Sequence, residues 1–201
     1  MNPPALATHG SGAPSAWVQR WLHLVPPGGQ VLDLACGSGR HVRWLAAQGF
    51  SVTGVDRDAA ALAGLQQTLA AQGQQAELLE ADLENGPWPL AGRRFDAVVV
   101  TNYLWRPTVP QVLALLKPGA LYLHETFADG QQHIGRPSRP EFLLQRGELL
   151  RWCQGLQTVA FEDGWLDGPP RCVQRIAALN PVSADPGAAA KIAVSPNLGS
   201  P

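Results

Sequence analysis

Short apolar runs alternate with helically spaced apolar residues along most of the chain. Five runs predict buried strands, at residues 31–34, 51–55, 76–80, 95–100 and 120–125. After the first run, Val42, Leu45 and Ala46 repeat at helical spacing until Gly49, and a second helical repeat ends at Gly73. This alternation is typical of a parallel sheet whose strands are connected by helices.

The remaining apolar pattern extends the same domain on both sides. Residues 14–24 and 143–153 have helical spacing, a helix after Val109 is expected to stop at Lys117-Pro118-Gly119, and the runs 156–161 and 172–179 predict two further strands. The predicted fold class is α/β, a doubly wound, mostly parallel seven-stranded sheet with helices on both faces. Residues 14–179 are expected to form this domain, between a flexible N-terminus (1–13) and a disordered C-terminal tail (180–201).

Charge and cysteine content narrow the classes of partner and site. With 15 basic and 16 acidic residues among 201, the formal net charge is −1, so no attraction to nucleic acid is expected. Cys36, Cys153 and Cys172 form no CxxC pair, which indicates reduced thiols and suggests neither a disulfide framework nor a metal site. No apolar run approaches the roughly 18 residues of a membrane span, and the N-terminus lacks signal-peptide features. We therefore expect a cytoplasmic protein with no membrane partner.

The first predicted strand runs into a glycine turn, Asp33-x-x-x-Gly37-x-Gly39. Residues without side chains at this point let a ligand approach the backbone. The dinucleotide fingerprint needs a third glycine at the position of Val42, and a phosphate loop needs a lysine followed by Ser or Thr, so neither motif is present. A tight connection between strand and helix, without any ligand, is the alternative explanation of the two glycines.

The same pattern resembles motif I of the class I S-adenosylmethionine-dependent methyltransferases. In that family the acid and the glycine loop hold the aminoacyl end and the sulfonium region of the cofactor. The resemblance implies that S-adenosyl-L-methionine is the cofactor and that Asp33, Gly37, Gly39 and the adjacent Arg40 bind it. It also implies a Rossmann-like methyltransferase fold whose last two strands form an antiparallel pair. The stretches 101–107 and 124–127 are similar to a small bacterial subgroup close to tellurite-resistance-type methyltransferases.

Acids also follow the second and third predicted strands. Asp56 lies 19 residues beyond the first glycine of the turn, the spacing at which a second-strand carboxylate reaches a ribose. Alternatively, Asp56 or Asp58 caps the next helix; both roles are compatible if Asp58 is the cap and Asp56 binds the ribose. By resemblance, Asp82 binds the adenine amino group and Leu83 offers its backbone amide to the ring. Asn102, after the fourth strand, completes the expected cofactor set. Acids at three successive strand ends predict one elongated crevice.

The resemblance further implies that the loop after the fourth strand faces the transferable methyl group. Residues expected to contact the methyl acceptor are Trp17, Tyr103, Trp105, Arg106 and Glu125. This loop lacks the Asn/Asp-Pro-Pro-aromatic motif of DNA and RNA amino-methyltransferases, which disfavours base methylation. Ordinary core packing is the alternative role of Trp17.

His124 and Tyr103 are the candidate catalytic residues. Histidine has an unperturbed pKa of about 6.5, which suits a general base, although a lone histidine at a strand end is more often structural. Arg106, Arg136 and Arg139 either bind an acidic acceptor or are solvated surface charges. The loop that carries the last two arginines has the length of a substrate lid or of a surface connection.

Taken together, these patterns predict a methyltransferase that uses S-adenosylmethionine and acts on a small-molecule acceptor. Two alternatives stay open. An RNA or protein acceptor is favoured by a basic surface beside the pocket, and a regulatory protein that binds the cofactor without catalysis is favoured by a pocket buried under the long loop.

Overall fold

The computed structural model describes residues 12–182. The predictions made for the two ends of the chain, 1–13 and 180–201, fall mostly on residues 1–11 and 183–201, which lie outside the described residues. Within the described range, no helix is long and apolar enough to cross a membrane.

The described residues form a sheet of seven strands. These are β1 (Gln30–Leu34), β2 (Ser51–Asp56), β3 (Glu77–Glu80), β4 (Phe95–Thr101), β5 (Leu116–Phe127), β6 (Gln157–Asp167) and β7 (Pro170–Leu179). Their order across the sheet is β3-β2-β1-β4-β5-β7-β6. The first five strands are parallel, whereas β7 runs antiparallel to both β5 and β6, so the sheet is mixed and not strictly parallel. All seven predicted strands are present.

Three of the five described α-helices connect parallel strands. The α-helices are α1 (Ala16–Trp21), α2 (Arg40–Ala47), α3 (Ala59–Ala71), α4 (Val109–Leu113) and α5 (Glu148–Trp152), and short 3₁₀ turns occupy Leu22–Leu24, Arg106–Thr108, Gln131–His133 and Pro140–Phe142. Of the connecting helices, α2 follows β1, α3 follows β2 and α4 follows β4, whereas β3 leads to β4 without a helix. Side-chain caps begin two of the helices: Ser15 Oγ accepts from the Trp17 amide, and Asp58 Oδ1 accepts from the Ala61 amide at 3.0 Å. The predicted capping role of Asp58 is confirmed.

Two buried clusters pack against the sheet. Because neighbouring strand residues point in opposite directions, Val31 and Val99 enter one cluster while Leu32 and Val100 enter the other. The first cluster also contains side chains of α1, α2 and α3, and the second contains side chains of α4 and α5. The parallel strands are therefore fixed relative to one another, and their carboxyl ends share one edge.

Two predicted boundaries are wrong. The Pro-Gly signal at Lys117-Pro118-Gly119 was expected to end a helix, but it lies inside β5, where a register shift against β4 and a positive φ of 80° at Gly119 accommodate it. The helix expected over 143–153 begins only at Glu148, because Leu144 bridges to Ala128 and Gly147 adopts a positive φ of 65° before the helix. In both places strand pairing overrides the local sequence signal.

Candidate active site

A cleft of about 900 Å³ opens where the parallel strands end. Its wall is formed where five neighbouring strands end: residues 35–37 at β1, 56–57 at β2, 81–84 at β3, 101–104 at β4 and 126–127 at β5. Residues 136–139 and Phe142 also line it. Ligands of open α/β sheets bind at this edge, so the cleft is the candidate site.

The two glycines of the turn have different roles. Gly37 lines the cleft with a positive φ of 55°. Gly39 is not among the residues that line the cleft; a Cβ there would come within 2.3 Å of the Leu65 side chain on α3. Gly37 thus shapes the ligand side of the turn, whereas Gly39 allows the start of α2 to approach α3. Arg40, the first residue of α2, lines the cleft.

Asp56 is held by backbone amides at the cleft wall. Its Oδ2 accepts from the Gly37 amide at 2.7 Å, and its Oδ1 accepts from the Asp58 amide at 3.0 Å. Each carboxylate oxygen has a second lone pair, so both oxygens can accept a further hydrogen bond from a ligand. The structure therefore joins the first two strand exits through one carboxylate.

Asp82 occupies the next strand exit. Its Oδ1 accepts from the amides of Glu84 and Asn85 at 2.9 and 3.1 Å, and its Oδ2 accepts from the Asn85 side chain at 3.1 Å. These hydrogen bonds hold the pKa of Asp82 below its usual value. Asp82 and Leu83 both line the cleft, as do Asn102 and Tyr103 from the exit of β4.

Asp33 lies behind the wall. Its side chain is buried, it does not line the cleft, and neither carboxylate oxygen has a hydrogen-bond partner among the described residues; His41 Nδ1 lies 3.9 Å from Oδ1. Burial raises its pKa to about 7, with a smaller contribution from Asp56, and the nearby charge of Arg40 opposes the shift. Of the three acids expected in one crevice, Asp56 and Asp82 line the cleft and Asp33 does not.

A buried polar network that the sequence did not reveal attaches α1 to this edge. The Ser15 amide donates to His41 Nε2 at 3.1 Å, and Ser15 Oγ donates to Glu125 Oε1 at 3.1 Å. Burial lowers the pKa of His41 to about 3, so the ring is neutral and accepts this hydrogen bond. Glu125 also pairs with Arg175 at 3.4 Å. The serine before a helix was the available signal, but its distant partners were not readable from the sequence.

Several residues expected to contact the acceptor do not line the cleft. Glu125 belongs to the network just described, and Trp17 is buried, with its Nε1 donating to the Ile176 carbonyl at 3.2 Å and Arg175 over its ring. Trp105 is half-buried outside the cleft wall. Of the aromatic candidates, Tyr103 lines the cleft; its hydroxyl is buried without a hydrogen-bond partner in the described structure, and burial raises its pKa.

His124 is buried away from the cleft wall, and both ring nitrogens are engaged. Nε2 lies 3.1 Å from the Tyr103 carbonyl, which can only accept, so Nε2 carries the proton and donates. Nδ1 then accepts from the Tyr122 hydroxyl at 2.7 Å. Burial lowers the pKa of His124 to about 4. This geometry gives His124 a positioning role at the β4 exit and does not support it as a general base.

Arg106 is hydrogen-bonded to residues between 141 and 148, which follow the cleft-lining segment 136–139. Its Nε donates to Glu148 Oε1 at 2.7 Å, and its terminal nitrogens donate to the carbonyls of Glu141 and Leu143 at 2.8 and 2.9 Å. It does not line the cleft, whereas Arg136 and Arg139 do. The three arginines grouped by the sequence pattern therefore have separate surroundings.

The sheet order, the glycine turn and the strand-exit acids define a Rossmann-like methyltransferase fold. Residues 31–119 match the family model of a methyltransferase domain. Residues 31–119 are thus similar to a methyltransferase domain, and the resemblance drawn from motif I to the class I S-adenosylmethionine-dependent methyltransferases is confirmed over that range.

Two curated relatives share part of the sequence. The ribosomal RNA small subunit methyltransferase C of Alcanivorax borkumensis is 33% identical over 103 residues, which cover 46% of this chain and 30% of that protein. The putative methyltransferase YqeM of Bacillus subtilis is 33% identical over 127 residues, 57% of this chain and 49% of that protein. The chain spans less than half the length of these two relatives.

Solved structures share the fold over a longer range. TehB from Haemophilus influenzae superposes with a TM-score of 0.70 and 19% identity, covering 86% of this chain and 64% of that chain. The glycopeptide N-methyltransferase MtfA, solved with S-adenosylhomocysteine, gives a TM-score of 0.61 and 19% identity, covering 85% of this chain and 91% of that chain. S-adenosylmethionine is the cofactor implied by the resemblance that this match confirms.

Proposed function

We propose that this protein is an enzyme that transfers a methyl group from S-adenosylmethionine to a small-molecule acceptor in the cleft. The observation that carries the proposal is the succession of Gly37, Asp56 and Asp82 along one cleft wall, at the exits of β1, β2 and β3. The two core clusters, one with α1 to α3 and the other with α4 and α5, support the doubly wound arrangement of this fold with helices on both faces.

The residues of the cleft fit the parts of the cofactor. Asp56 keeps free lone pairs for the two hydroxyls of a ribose, and the short Gly37 turn leaves the backbone accessible beside it. Asp82 and Leu83 lie one strand further and suit the adenine. Gly39 contributes indirectly, because it lets α2 pack closely against α3. Arg40 and Asn102 line the same cleft.

The orphan carboxyl of Asp33 also fits a cationic ligand. A buried carboxylate without a hydrogen bond is costly to ionise, and a positive charge near the glycine turn lowers that cost. S-adenosylmethionine is a cation at both its sulfonium and its amino group. We expect Asp33 to act through this electrostatic effect and not by direct contact, because it does not line the cleft.

When bound, S-adenosylmethionine supplies an electrophilic methyl group. This chain's own residues would bind and orient the reactants. His124 Nε2 donates to the Tyr103 carbonyl and so holds the backbone of Tyr103 in place. The side chain of Tyr103 lines the cleft. The fold thereby supplies alignment, and the described cleft wall contains no neutral histidine free to take a proton, because His41 Nε2 is occupied by Ser15.

A small molecule is the favoured acceptor because a formal net charge of −1 gives the protein no overall attraction to a nucleic-acid backbone. The similar proteins do not agree on an acceptor, because one is named for ribosomal RNA and another for glycopeptides. An RNA or protein acceptor, and a regulatory protein without catalysis, remain the alternatives to be tested.

Calorimetry tests the proposal first. We expect S-adenosylmethionine to bind and NAD not to bind, since the third glycine of the dinucleotide fingerprint is replaced by Val42. Binding of NAD without S-adenosylmethionine would overturn the assignment. Transfer of a radiolabelled methyl group to any metabolite separates an enzyme from a protein that only binds the cofactor.

A further inference from the structure

Acids and arginines are unevenly placed along the cleft. The acids that line it, Asp56, Asp82 and Glu84, lie where β2 and β3 end, and Arg40 and Arg57 line the same end. Next to the exit of β5, the cleft is lined by Arg136 and Arg139, with no carboxylate among the lining residues there. Since the proposed cofactor occupies the end with the acids, the end with Arg136 and Arg139 is left for the acceptor.

The two arginines are not neutralised by strong partners. Arg139 lies 3.5 Å from Glu141, but both side chains are more than half exposed, and such surface pairs contribute little. Its guanidinium lies 5.0 Å from the centre of the Phe142 ring. Arg136 has no ion pair among the described residues. By contrast, Arg106 is fully engaged with Glu148 and two carbonyls.

The segment that carries these arginines is anchored to the sheet. The buried side chain of Gln131 donates to the Arg136 carbonyl at 3.2 Å and accepts from the Cys172 amide at 3.0 Å. The Leu144 amide donates to the Phe127 carbonyl at 3.0 Å, directly after the β5 exit. Arg136 is thus held at the cleft by a connection to β7, and the segment around it is more than a loose surface connection.

We propose that the methyl acceptor is a small anion, carrying a carboxylate or phosphate group that Arg136 and Arg139 bind at the β5 end of the cleft. This inference rests on the proposed function and names the acceptor class for the same site. Guanidinium groups form paired, charge-assisted hydrogen bonds with carboxylate and phosphate, which would fix one end of the acceptor. The formal net charge of −1 favours a small anion over RNA.

The test fractionates acceptors before the reaction. A cell extract is filtered to remove macromolecules and divided by anion exchange into retained and unretained metabolites, and each pool is incubated with the full chain and methyl-tritiated S-adenosylmethionine. We expect label to be transferred to acceptors of the retained pool. Phosphatase treatment of that pool before the reaction abolishes labelling of a phosphate ester and leaves a carboxylate acceptor unaffected, which separates the two anions.

Variants link the labelling to the arginines. We expect Arg136→Gln combined with Arg139→Gln to lower kcat/KM for the retained pool by about tenfold or more, mainly through KM, while Arg136→Lys retains part of the activity. Arg146→Gln is the matched control, since Arg146 is exposed and does not line the cleft. S-adenosylmethionine affinity should stay within about twofold in all of these variants.

The outcomes distinguish the two proposals. If the wild-type protein does not bind S-adenosylmethionine, the proposed function fails and the acceptor class fails with it. If the cofactor binds but label enters only the unretained pool, the anionic acceptor alone is overturned. If label enters neither pool, or only RNA or protein of the separately tested macromolecular fraction, the small-molecule acceptor of the proposed function is overturned as well. Equal kcat/KM in the double variant and in wild type also overturns it.

Discussion

The amide of Gly37 donates a hydrogen bond of 2.7 Å to Oδ2 of Asp56, joining the glycine turn after β1 to the last residue of β2. Through this hydrogen bond, Asp56 has two roles in the proposed site. It fixes the conformation of the turn, and it holds a carboxylate that lines the cleft and keeps lone pairs for a ligand. A single carboxylate therefore organises the backbone and the ligand side together.

Replacement of Asp56 by alanine should weaken S-adenosylmethionine binding by at least tenfold. The variant loses one or two charge-assisted hydrogen bonds to the ligand, each of roughly 1.5–3 kcal/mol, and releases the Gly37 amide. Calorimetry measures the affinity. Asp58→Ala is the matched control, because it removes the cap on Ala61 at a cost of about 1 kcal/mol of stability without altering the cleft wall. Unchanged affinity in the Asp56 variant would remove this residue from the site.

Gly39→Ala should destabilise the fold more than Gly28→Ala. Both glycines have a φ near +74°, which costs a residue with a side chain about 1–2 kcal/mol. A Cβ at position 28 meets nothing within 4 Å, whereas a Cβ at position 39 lies 2.3 Å from Leu65, adding roughly 1–3 kcal/mol of overpacking. Denaturant unfolding measures the difference, and adding Leu65→Ala should recover part of it in a double-mutant cycle. Equal losses in the two glycine variants would contradict the packing role of Gly39.

Features set by local pattern were predictable from the sequence. The strands follow from apolar runs, and parallel strands bring their carboxyl ends to one edge, so Asp56 and Asp82 were correctly expected near each other. The helix cap at Asp58 follows from the same local chemistry. The match to a methyltransferase domain over residues 31–119 spans these same features.

Features set by distant partners were not predictable. His124 and Glu125 are neighbours at one strand exit, yet the alternation of β5 sends one to Tyr122 and Tyr103 and the other to Ser15. Arg106 and Arg136 looked alike in the sequence, but Glu148, 42 residues away, engages only Arg106. The role of such a side chain depends on a partner far away in the sequence, and the periodicity of apolar residues does not indicate which partner it will have.

Binding of S-adenosylmethionine at pH 6.5 should release a proton from Asp33. Burial raises the pKa of this carboxyl to about 7, so it is mostly protonated at that pH, and a cation at the glycine turn favours ionisation. Calorimetry in buffers of different ionisation enthalpy measures the released proton. Asp33→Asn should abolish the release, and a wild-type protein that releases none would argue against a cation beside Asp33.

The same raised pKa predicts a pH dependence of stability. A carboxyl whose folded pKa is above its unfolded value of about 4 favours the folded state fully at lower pH, and this contribution is lost as the pH rises through 7. Asp33→Asn should therefore gain stability relative to wild type between pH 5 and pH 8. Denaturant unfolding at the two pH values checks the sign, and a relative loss at pH 8 would contradict the buried, unpartnered state of Asp33.

His124→Ala should lower stability and disturb the β4 exit without removing a catalytic base. The substitution leaves the Tyr122 hydroxyl and the Tyr103 carbonyl without their partner, a loss of roughly 1–3 kcal/mol for each buried group. Because burial lowers the pKa of His124 to about 4, the ring is neutral from pH 5 to pH 8, and its titration should not appear in the pH profile of kcat/KM over that range. His124→Gln, whose amide can donate to the Tyr103 carbonyl, should recover more activity than alanine. A wild-type acid limb near pH 6.5 that disappears in both variants would instead make His124 the general base, against the geometry described here.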